Sequence, residues 1–126
     1  MFTNKVEVLS MARAMAAHAA ARQGAIAGNV ANADTLGYRA RHLPDFAEVW
    51  ESRGQTLRAT RAAHLSGSPQ VTMQPIVDAR GQNPNGNSVS LEAEMVAAAE
   101  ARQAHDLALA IHRTLSGAVR STLGRR

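Results

Sequence analysis

The chain has 126 residues, no cysteine and a formal net charge of +4, and aromatic residues make up only 3% of it. This length allows one modest domain or an elongated pair of helices, and the missing cysteines exclude a disulfide framework and thiolate chemistry. Because alanine dominates the apolar residues, any core consists of small side chains. Such a core favours long helices packed closely against neighbours over a compact globule.

The first predicted element is a helix from about residue 5 to residue 31. Alanine is the best helix former and keeps this run helical. A weak apolar line recurs at three- and four-residue steps, as expected for one face of a helix, and it comprises Val6, Leu9, Ala12, Ala16, Ala20, Gln23, Ala27 and Val30, with Ile26 beside it.

A second line of small residues runs along the same helix at intervals of four, through Ala16, Ala20, Gly24 and Gly28. Two interior glycines each cost about 1 kcal/mol relative to alanine. Close approach of another helix backbone is the usual reason for tolerating that cost. We therefore expect Gly24 and Gly28 to lie at a tight helix–helix contact, within the chain or with another copy.

The stretch from residue 31 to residue 39 ends the first helix. Asn32 and Thr35 can hydrogen-bond their own backbone and compete with helix continuation. Gly37 supplies a positive φ at little steric cost. Tyr38 then places an amphipathic ring just past the break.

A short helix is predicted within residues 43–54. Pro44 suits the first helical position and Gly54 suits the residue past the end. Phe46 and Trp50 are four residues apart, so they share one face. We expect this helix to anchor the middle segment to a long helix.

Residues 55 to 87 have the composition of loops, and we expect mobility there in the free chain with at most a small hairpin. Two short, partly alternating runs, residues 56–60 and 70–73, are the candidate strands of that hairpin.

The last predicted element is a helix within residues 88–123, capped by Ser90 or Ser88 and opened by acidic residues that favour the positive end of its dipole. Two adjacent stripes give it an apolar face wider than one partner helix needs, which indicates burial by several neighbours. The first comprises Leu91, Met95, Ala98, His105, Leu109, His112 and Val119; the second comprises Val96, Ala104, Leu107, Ala108, Ile111, Leu115 and Ala118.

Catalytic and metal chemistry find little support in the sequence. His105 and His112 share a helix face but are seven residues apart, whereas a metal site on one helix uses a spacing of four. The sequence has no phosphate-binding loop and no nucleophile motif. We therefore expect no enzyme activity, no cofactor, no metal and no small-molecule substrate.

Contact with nucleic acid or with a membrane is also not expected. The arginines are dispersed along the chain, which is typical of surface charge rather than a nucleic-acid patch. The sequence lacks a secretory signal, and no window approaches about 18 uninterrupted apolar residues.

Three segments resemble flagellar rod and hook proteins, in the same order along the chain. Residues 28–38 resemble the Asn-Ile-Ala-Asn-x-x-Thr-Pro-Gly-Tyr signature near the N-terminus of those proteins, with Leu36 where proline is usual. Residues 63–65, Ala-His-Leu, are like a short His-Ile/Leu element. Residues 87–95 look like the Gly-Asn-x-Val-x-Leu-Glu-x-Glu-Met motif that opens the C-terminal helix. The overall length resembles the short proximal rod member.

This resemblance to the flagellar basal-body rod family implies a structural subunit in a mainly all-α fold. Its single domain, residues 1–126, would pair a long N-terminal helix (5–31) with a long C-terminal helix (88–123) as in a coiled coil. A short helix and a loop or hairpin region would lie between them (32–87). Contacts for assembly or for helix packing are expected at Gly24, Gly28, Asn29, Asn32, Thr35, Gly37, Tyr38, Leu91, Met95, Leu109 and Leu115.

The resemblance also implies partners and a location. Subunits of the family polymerise helically into the proximal rod, which crosses the periplasm and transmits torque. They are exported by the flagellar type III apparatus without a cleaved signal. The expected partners are further copies, the other flagellar rod proteins and the basal-body component that links the rod to the export gate.

Two other functions remain open on the sequence. A small basic helical adaptor would bind nucleic acid with a strong dependence on salt. An export chaperone would form a discrete, closed oligomer, whereas a rod subunit assembles with open ends.

Overall fold

The chain folds around two long helices, seen in a computed structural model that describes residues 2–52, 75–77 and 83–124. Helix α1 covers Phe2–Ala31, and helix α3 covers Leu91–Leu123. Between them come strand β1 (Arg41–His42), helix α2 (Phe46–Ser52) and strand β2 (Ile76–Val77). The predicted mainly helical architecture, with its long terminal helices packed together, is confirmed.

The two long helices run antiparallel. Asn29, near the end of α1, bonds to Glu94 at the start of α3, whereas Arg13, early in α1, bonds to His112 late in α3. Arg22 pairs with Glu100 between these points.

Alanine forms most of the seam between α1 and α3. The buried apolar residues of α1 are Ala12, Ala19 and Ile26, and those of α3 are Ala101 and Ala108. A spacing of seven residues keeps one side of each helix toward its partner, as in coiled coils. Small side chains allow the two backbones to approach closely, which explains how a chain with so few aromatic residues packs.

The predicted apolar face of α3 is only partly correct. The seam runs through Glu94, Ala101 and Ala108, and of these three the predicted stripes contain only Ala108. Met95 and Val96 are 72% and 61% exposed. Helix–helix contact follows the small residues because they permit the closest approach, so the larger side chains are left on the outside.

The predicted apolar line of α1 is likewise rotated from the observed one. Ala12 and Ile26 are buried as expected, but Ala20, Gln23 and Val30 are exposed. Since alanine is spread around most of this helix, the apolar pattern barely distinguishes one face from another.

Helix α2 is shorter than the predicted helix and starts later. Pro44 lies before it rather than at its first position, and the Asp45 carbonyl accepts the first helical bond, from Val49 N–H at 3.2 Å. The Pro44 carbonyl instead accepts a hydrogen bond from Nε2 of the buried His18, at 2.8 Å.

The aromatic residues of α2 attach it to α1. The rings of His18 and Phe46 meet edge to face with centroids 5.7 Å apart, and Phe46 lies 5.8 Å from Trp50. The predicted common face of Phe46 and Trp50 is confirmed, and so is the anchoring of this helix to a long helix.

The two strands form a small antiparallel pair, with Arg41 opposite Val77 and His42 opposite Ile76. They are not the segments predicted as a hairpin. Those segments, residues 56–60 and 70–73, lie outside the described residues, as do Gly54 and residues 63–65.

Helix α3 has the predicted N-terminal cap. The Ser90 hydroxyl accepts a bond from Ala93 N–H, and Glu92 and Glu94 occupy the first turn. At the other end, Gly124 N–H donates to the Arg120 carbonyl at 2.8 Å. In the described part of the chain, neither long helix is apolar enough over a sufficient length to cross a membrane.

Candidate functional site

Buried polar side chains gather at one end of the helix pair, where α1 ends and α3 begins. Asn29 and Asn87 are 0% exposed and Glu94 is 2% exposed. Buried polar groups are costly unless they are hydrogen-bonded, so this concentration points to a specific role. We call Asn29, Asn87 and Glu94, with the groups that they bind, the asparagine clamp.

Asn29 links three parts of the chain through one amide group. Its Nδ2 donates to the Arg41 carbonyl and to Glu94 Oε1, both at 2.9 Å. Its Oδ1 accepts from Arg41 N–H at 2.9 Å and from the Tyr38 hydroxyl at 3.4 Å. The amide thereby uses its two donors and accepts two bonds, which is its full capacity. It fixes α1, β1 and α3 relative to one another.

Asn87 bonds the turn that follows α1, although it lies in a distant part of the sequence. Its Nδ2 contacts the carbonyl oxygens of Asn32, Ala33 and Thr35 at 2.9, 2.7 and 2.8 Å. Its Oδ1 accepts from Val89 N–H at 2.8 Å. Carbonyl groups in the last turn of α1 accept bonds locally, from Asn32 N–H and Ala33 N–H. Asn87 therefore bonds the turn after α1 rather than the helix itself, and it holds that turn beside the start of α3.

The turn after α1 meets the segment before α3 at two glycines. Gly37 has φ 70° and Gly86 has φ 76°, so the predicted positive φ of Gly37 is confirmed. Gly37 N–H donates to the Asn85 carbonyl at 3.1 Å. A Cβ on Gly86 would lie in van der Waals contact with the Gly37 Cα at 3.4 Å, whereas a Cβ on Gly37 would meet nothing within 4 Å among the described residues. The positive φ, rather than lack of space, therefore favours glycine at both positions.

Further bonds tie the two segments together on either side of this crossing. Ser88 N–H donates to the Tyr38 carbonyl at 3.0 Å, and the Ser88 hydroxyl accepts from Ala40 N–H at 2.8 Å. Within the turn, Asn32 Nδ2 donates to the Gly28 carbonyl, and the Thr35 hydroxyl donates to Asn32 Oδ1. Side-chain hydrogen bonds therefore hold the turn both where it leaves α1 and where it meets the segment before α3.

Glu94 is the least satisfied member of the clamp. Its Oε1 accepts from Asn29, but its buried Oε2 has no hydrogen-bond partner among the described residues. An unsatisfied buried acceptor costs about 1–3 kcal/mol. Burying Glu94 therefore costs some stability, but it places Oε1 where it accepts a bond from Asn29, and this bond forms only when α1 and α3 are in the observed register.

Polar contacts along the rest of the pair are few and exposed. Arg22 and Glu100 form an ion pair at 2.8 Å, with side chains 30% and 59% exposed. Arg13 Nε donates to His112 Nε2 at 3.3 Å, so that nitrogen acts as an acceptor. Exposed pairs of this kind contribute little to stability.

The bonds of the clamp orient the two long helices and the segments beside them. Each clamp bond joins an amide, hydroxyl or carboxylate to another polar group of the chain. No group of three or more histidine or acidic side chains is arranged to hold a metal ion in the part of the chain that the structure describes.

Gly24 and Gly28 do not lie against α3. A Cβ on Gly24 would meet nothing within 4 Å among the described residues, and one on Gly28 would lie 3.9 Å from the Tyr38 hydroxyl. Both glycines line an open groove of about 260 Å³. The expected tight contact is not made within the described part of the chain, and a contact with another copy stays a prediction.

The structure brings four of the expected residues of the first motif into the clamp, Asn29, Asn32, Thr35 and Tyr38, and places Gly37 beside it, bonded to Asn85. The remaining expected residues lie elsewhere. Leu91 and Met95 are 50% and 72% exposed at the outside of α3. Leu109 and Leu115 are half-buried further along that helix.

Two clamp residues, Asn87 and Glu94, and the neighbouring Ser88 were absent from the expected set. Taken alone, Asn87 belongs to a segment with the composition of a loop, and Glu94 is an acidic residue of the kind common in the first turn of a helix. The available signal was the third motif, residues 87–95, which contains all three.

A comparison with known proteins found a relative that covers most of the chain. The chain is similar to the flagellar basal body rod protein FlgB of Agrobacterium fabrum (strain C58 / ATCC 33970), with 29% identity over 109 residues that cover 81% of each chain. No protein-family model matches the chain. The resemblance inferred from the motifs is confirmed by this relative.

Proposed function

We propose that this chain is a structural subunit of the flagellar basal-body rod. The observation that carries the proposal is the similarity to a protein named as a rod protein, which extends over 81% of both chains. Because the two chains align over most of their lengths, the likeness concerns the whole subunit rather than one shared helix.

The clamp supports this function physically. Two segments about 50 residues apart in the sequence, both resembling rod-protein signatures, are joined through Asn87 and Asn29. A subunit that transmits torque needs a fixed angle between its long helices. Directional bonds from buried amides supply that rigidity better than contacts between apolar side chains, which have no preferred direction.

The outer surface of α3 supports self-association. Met95, Val96 and Leu107 are 72%, 61% and 52% exposed. Large apolar side chains grouped at a surface mark sites of protein contact. Neighbouring copies in an assembly would cover them, which is the burial by several neighbours expected from the sequence.

The proposal includes the partners and location that the resemblance implies. The subunit polymerises with further copies, contacts the other rod proteins and meets the basal-body component that links the rod to the export gate. It reaches the periplasm through the flagellar type III apparatus without a cleaved signal, and the rod it forms transmits torque.

The test is deletion of the gene in the native host, followed by complementation with an epitope-tagged copy. The deletion should abolish swimming, the tagged copy should restore it, and purified basal bodies should contain the tagged chain. An unrelated cytoplasmic protein with the same tag is the control for contamination. Normal swimming of the deletion strain, or basal bodies that lack the chain, would overturn the proposal.

The tagged protein from the same strains also distinguishes a rod subunit from an export chaperone and from a nucleic-acid adaptor. A closed dimer found in the cytoplasm and absent from basal bodies would indicate a chaperone. Tight DNA binding that weakens steeply with salt would indicate a nucleic-acid adaptor.

A further inference from the structure

One side of α1 carries a groove that α3 does not cover. Its floor has small residues at helical spacing, and its walls come from the chain around β1. The cavity of about 260 Å³ is open and lies below the range of about 300–1,000 Å³ typical of small-molecule sites. The residues that matter here are Ala21, Gly24 and Gly28 on the floor and Tyr38, Arg41 and Leu43 on the walls.

The outer face of α3 carries a protruding apolar stripe. Met95 and Val96 are 72% and 61% exposed, and Glu92 and Ala99 are exposed with them. These four residues have the spacing i, i+3, i+4, i+7, so they lie on one face of the helix. We call them the α3 outer stripe.

The groove and the outer stripe complement each other in shape. The floor at Gly24 has open space above it, since a Cβ there would meet nothing within 4 Å among the described residues. Met95 and Val96 supply the large side chains that such a floor can receive. Small residues on one helix allow a second helix to approach closely, which would offset the cost of two glycines inside α1.

The two surfaces also complement each other in charge. The exposed Arg41 stands at the wall of the groove, with the exposed Arg39 two residues before it, and Glu92 is exposed at the head of the stripe. Opposite charges at the rim of a contact favour the correct partner and its register.

We propose that the groove of one copy receives the α3 outer stripe of a second copy. This inference rests on the proposed function and names the surfaces through which subunits meet. The two surfaces differ, and every copy carries both. Their contact is therefore head-to-tail, and a head-to-tail contact that does not close into a ring produces an open helical assembly.

Cysteine cross-linking tests the contact directly, because the chain has no cysteine of its own. Cells would express two full-length variants together, Gly24→Cys and Met95→Cys, and disulfides would be formed by mild oxidation of purified basal bodies. A disulfide needs Cα atoms about 4.4–6.8 Å apart. The mixed product should exceed either homodimer by at least about fivefold.

The matched control is Gln23→Cys in place of Gly24→Cys. Gln23 is exposed and adjacent in sequence, but it points about 100° away around the helix. It should give little mixed product with Met95→Cys. Equal yields from Gln23→Cys and Gly24→Cys, or a Met95→Cys homodimer as the main product, would overturn the inference.

The readout distinguishes failure of this contact from failure of the proposed function. Basal bodies that contain both variants without the mixed disulfide would overturn the contact alone. Basal bodies that contain neither variant, nor the wild-type chain, would overturn the proposed function and this contact with it.

Charge reversal gives a second, independent measurement. In the same cross-linking background, Arg41→Glu or Glu92→Arg should each lower the mixed product about threefold, in line with exposed ion pairs. Both reversals together should restore it. Arg113→Glu, an exposed change late in α3, should leave the yield unchanged. No recovery in the double reversal, or an equal loss with Arg113→Glu, would overturn the pairing.

Discussion

The clamp at one end of the helix pair and the seam along its length hold the two helices together by different means. At the clamp, the buried amides of Asn29 and Asn87 make directional hydrogen bonds. Along the seam, Ala12, Ala19 and Ala101 provide close contact with no direction of their own. Alanine faces look much alike after a shift of one turn, whereas the clamp bonds exist in one register only. The seam therefore allows the two helix backbones to approach closely, and the clamp sets the register of one helix against the other.

The largest expected effect is the loss of the Asn87 amide. Asn87→Ala removes the bonds to three carbonyl groups and to Val89 N–H. The carbonyl groups of Asn32 and Thr35 keep backbone partners, so two of these four groups lose their partner. Each unsatisfied group costs about 1–3 kcal/mol, so we expect at least about 2 kcal/mol of lost stability, measured by urea unfolding. Asn83→Ala is the control, because Asn83 is exposed and should change stability by less than about 0.5 kcal/mol. Similar midpoints for the two variants would contradict the role of the clamp.

A bulky residue in the seam should have the next largest effect. Ala101 is 0% exposed, so Ala101→Leu forces the helices apart at a cost of about 1–3 kcal/mol. Thermal unfolding followed by circular dichroism would measure it. Ala99→Leu places the same side chain at an exposed position two residues away and should be nearly neutral. Equal destabilisation by both would mean that the seam is not closely packed.

The turn at Gly37 should show a conformational penalty of similar or smaller size. With φ at 70°, Gly37→Val places a β-branched residue in a strained backbone region, at a cost of about 1–3 kcal/mol. Gly37→Asn should cost less, because asparagine tolerates this region. The comparison uses urea midpoints, and an asparagine variant as unstable as the valine variant would point to steric contact rather than to φ.

The smallest effect is expected at the exposed ion pair. Arg22→Ala removes the partner of Glu100, whose side chain is 59% exposed, and should cost less than about 1 kcal/mol. The difference from wild type should shrink further at 1 M salt, where charges are screened within about 3 Å. A large, salt-independent loss would show that polar contacts along the seam also set the register.

The sequence predicted the helices better than the way they pack. Alanine content and the Ser90 cap located α1 and α3, and Gly37 located the turn with positive φ. These are local properties, which neighbouring residues determine.

The packing surfaces and the clamp depend on long-range contacts, which local patterns do not contain. Alanine occurs on most sides of α1, so periodicity selected Ala20 and Gln23, which are exposed, and missed Ala19. Asn87 finds its partners at residues 32–35, more than 50 positions earlier. Only the family resemblance connected these two segments before the structure did.

The bonds from Asn87 to the turn after α1 have a consequence for the order of folding. The turn is bonded by Asn87, so a chain that emerges from its N-terminus lacks these bonds until most of its length is available. A contact over so long a loop also carries an entropic cost that slows its formation. The protein thus forms these bonds late, after the C-terminal part has emerged, and until then the chain lacks the hydrogen bonds that fix the turn after α1 beside the start of α3.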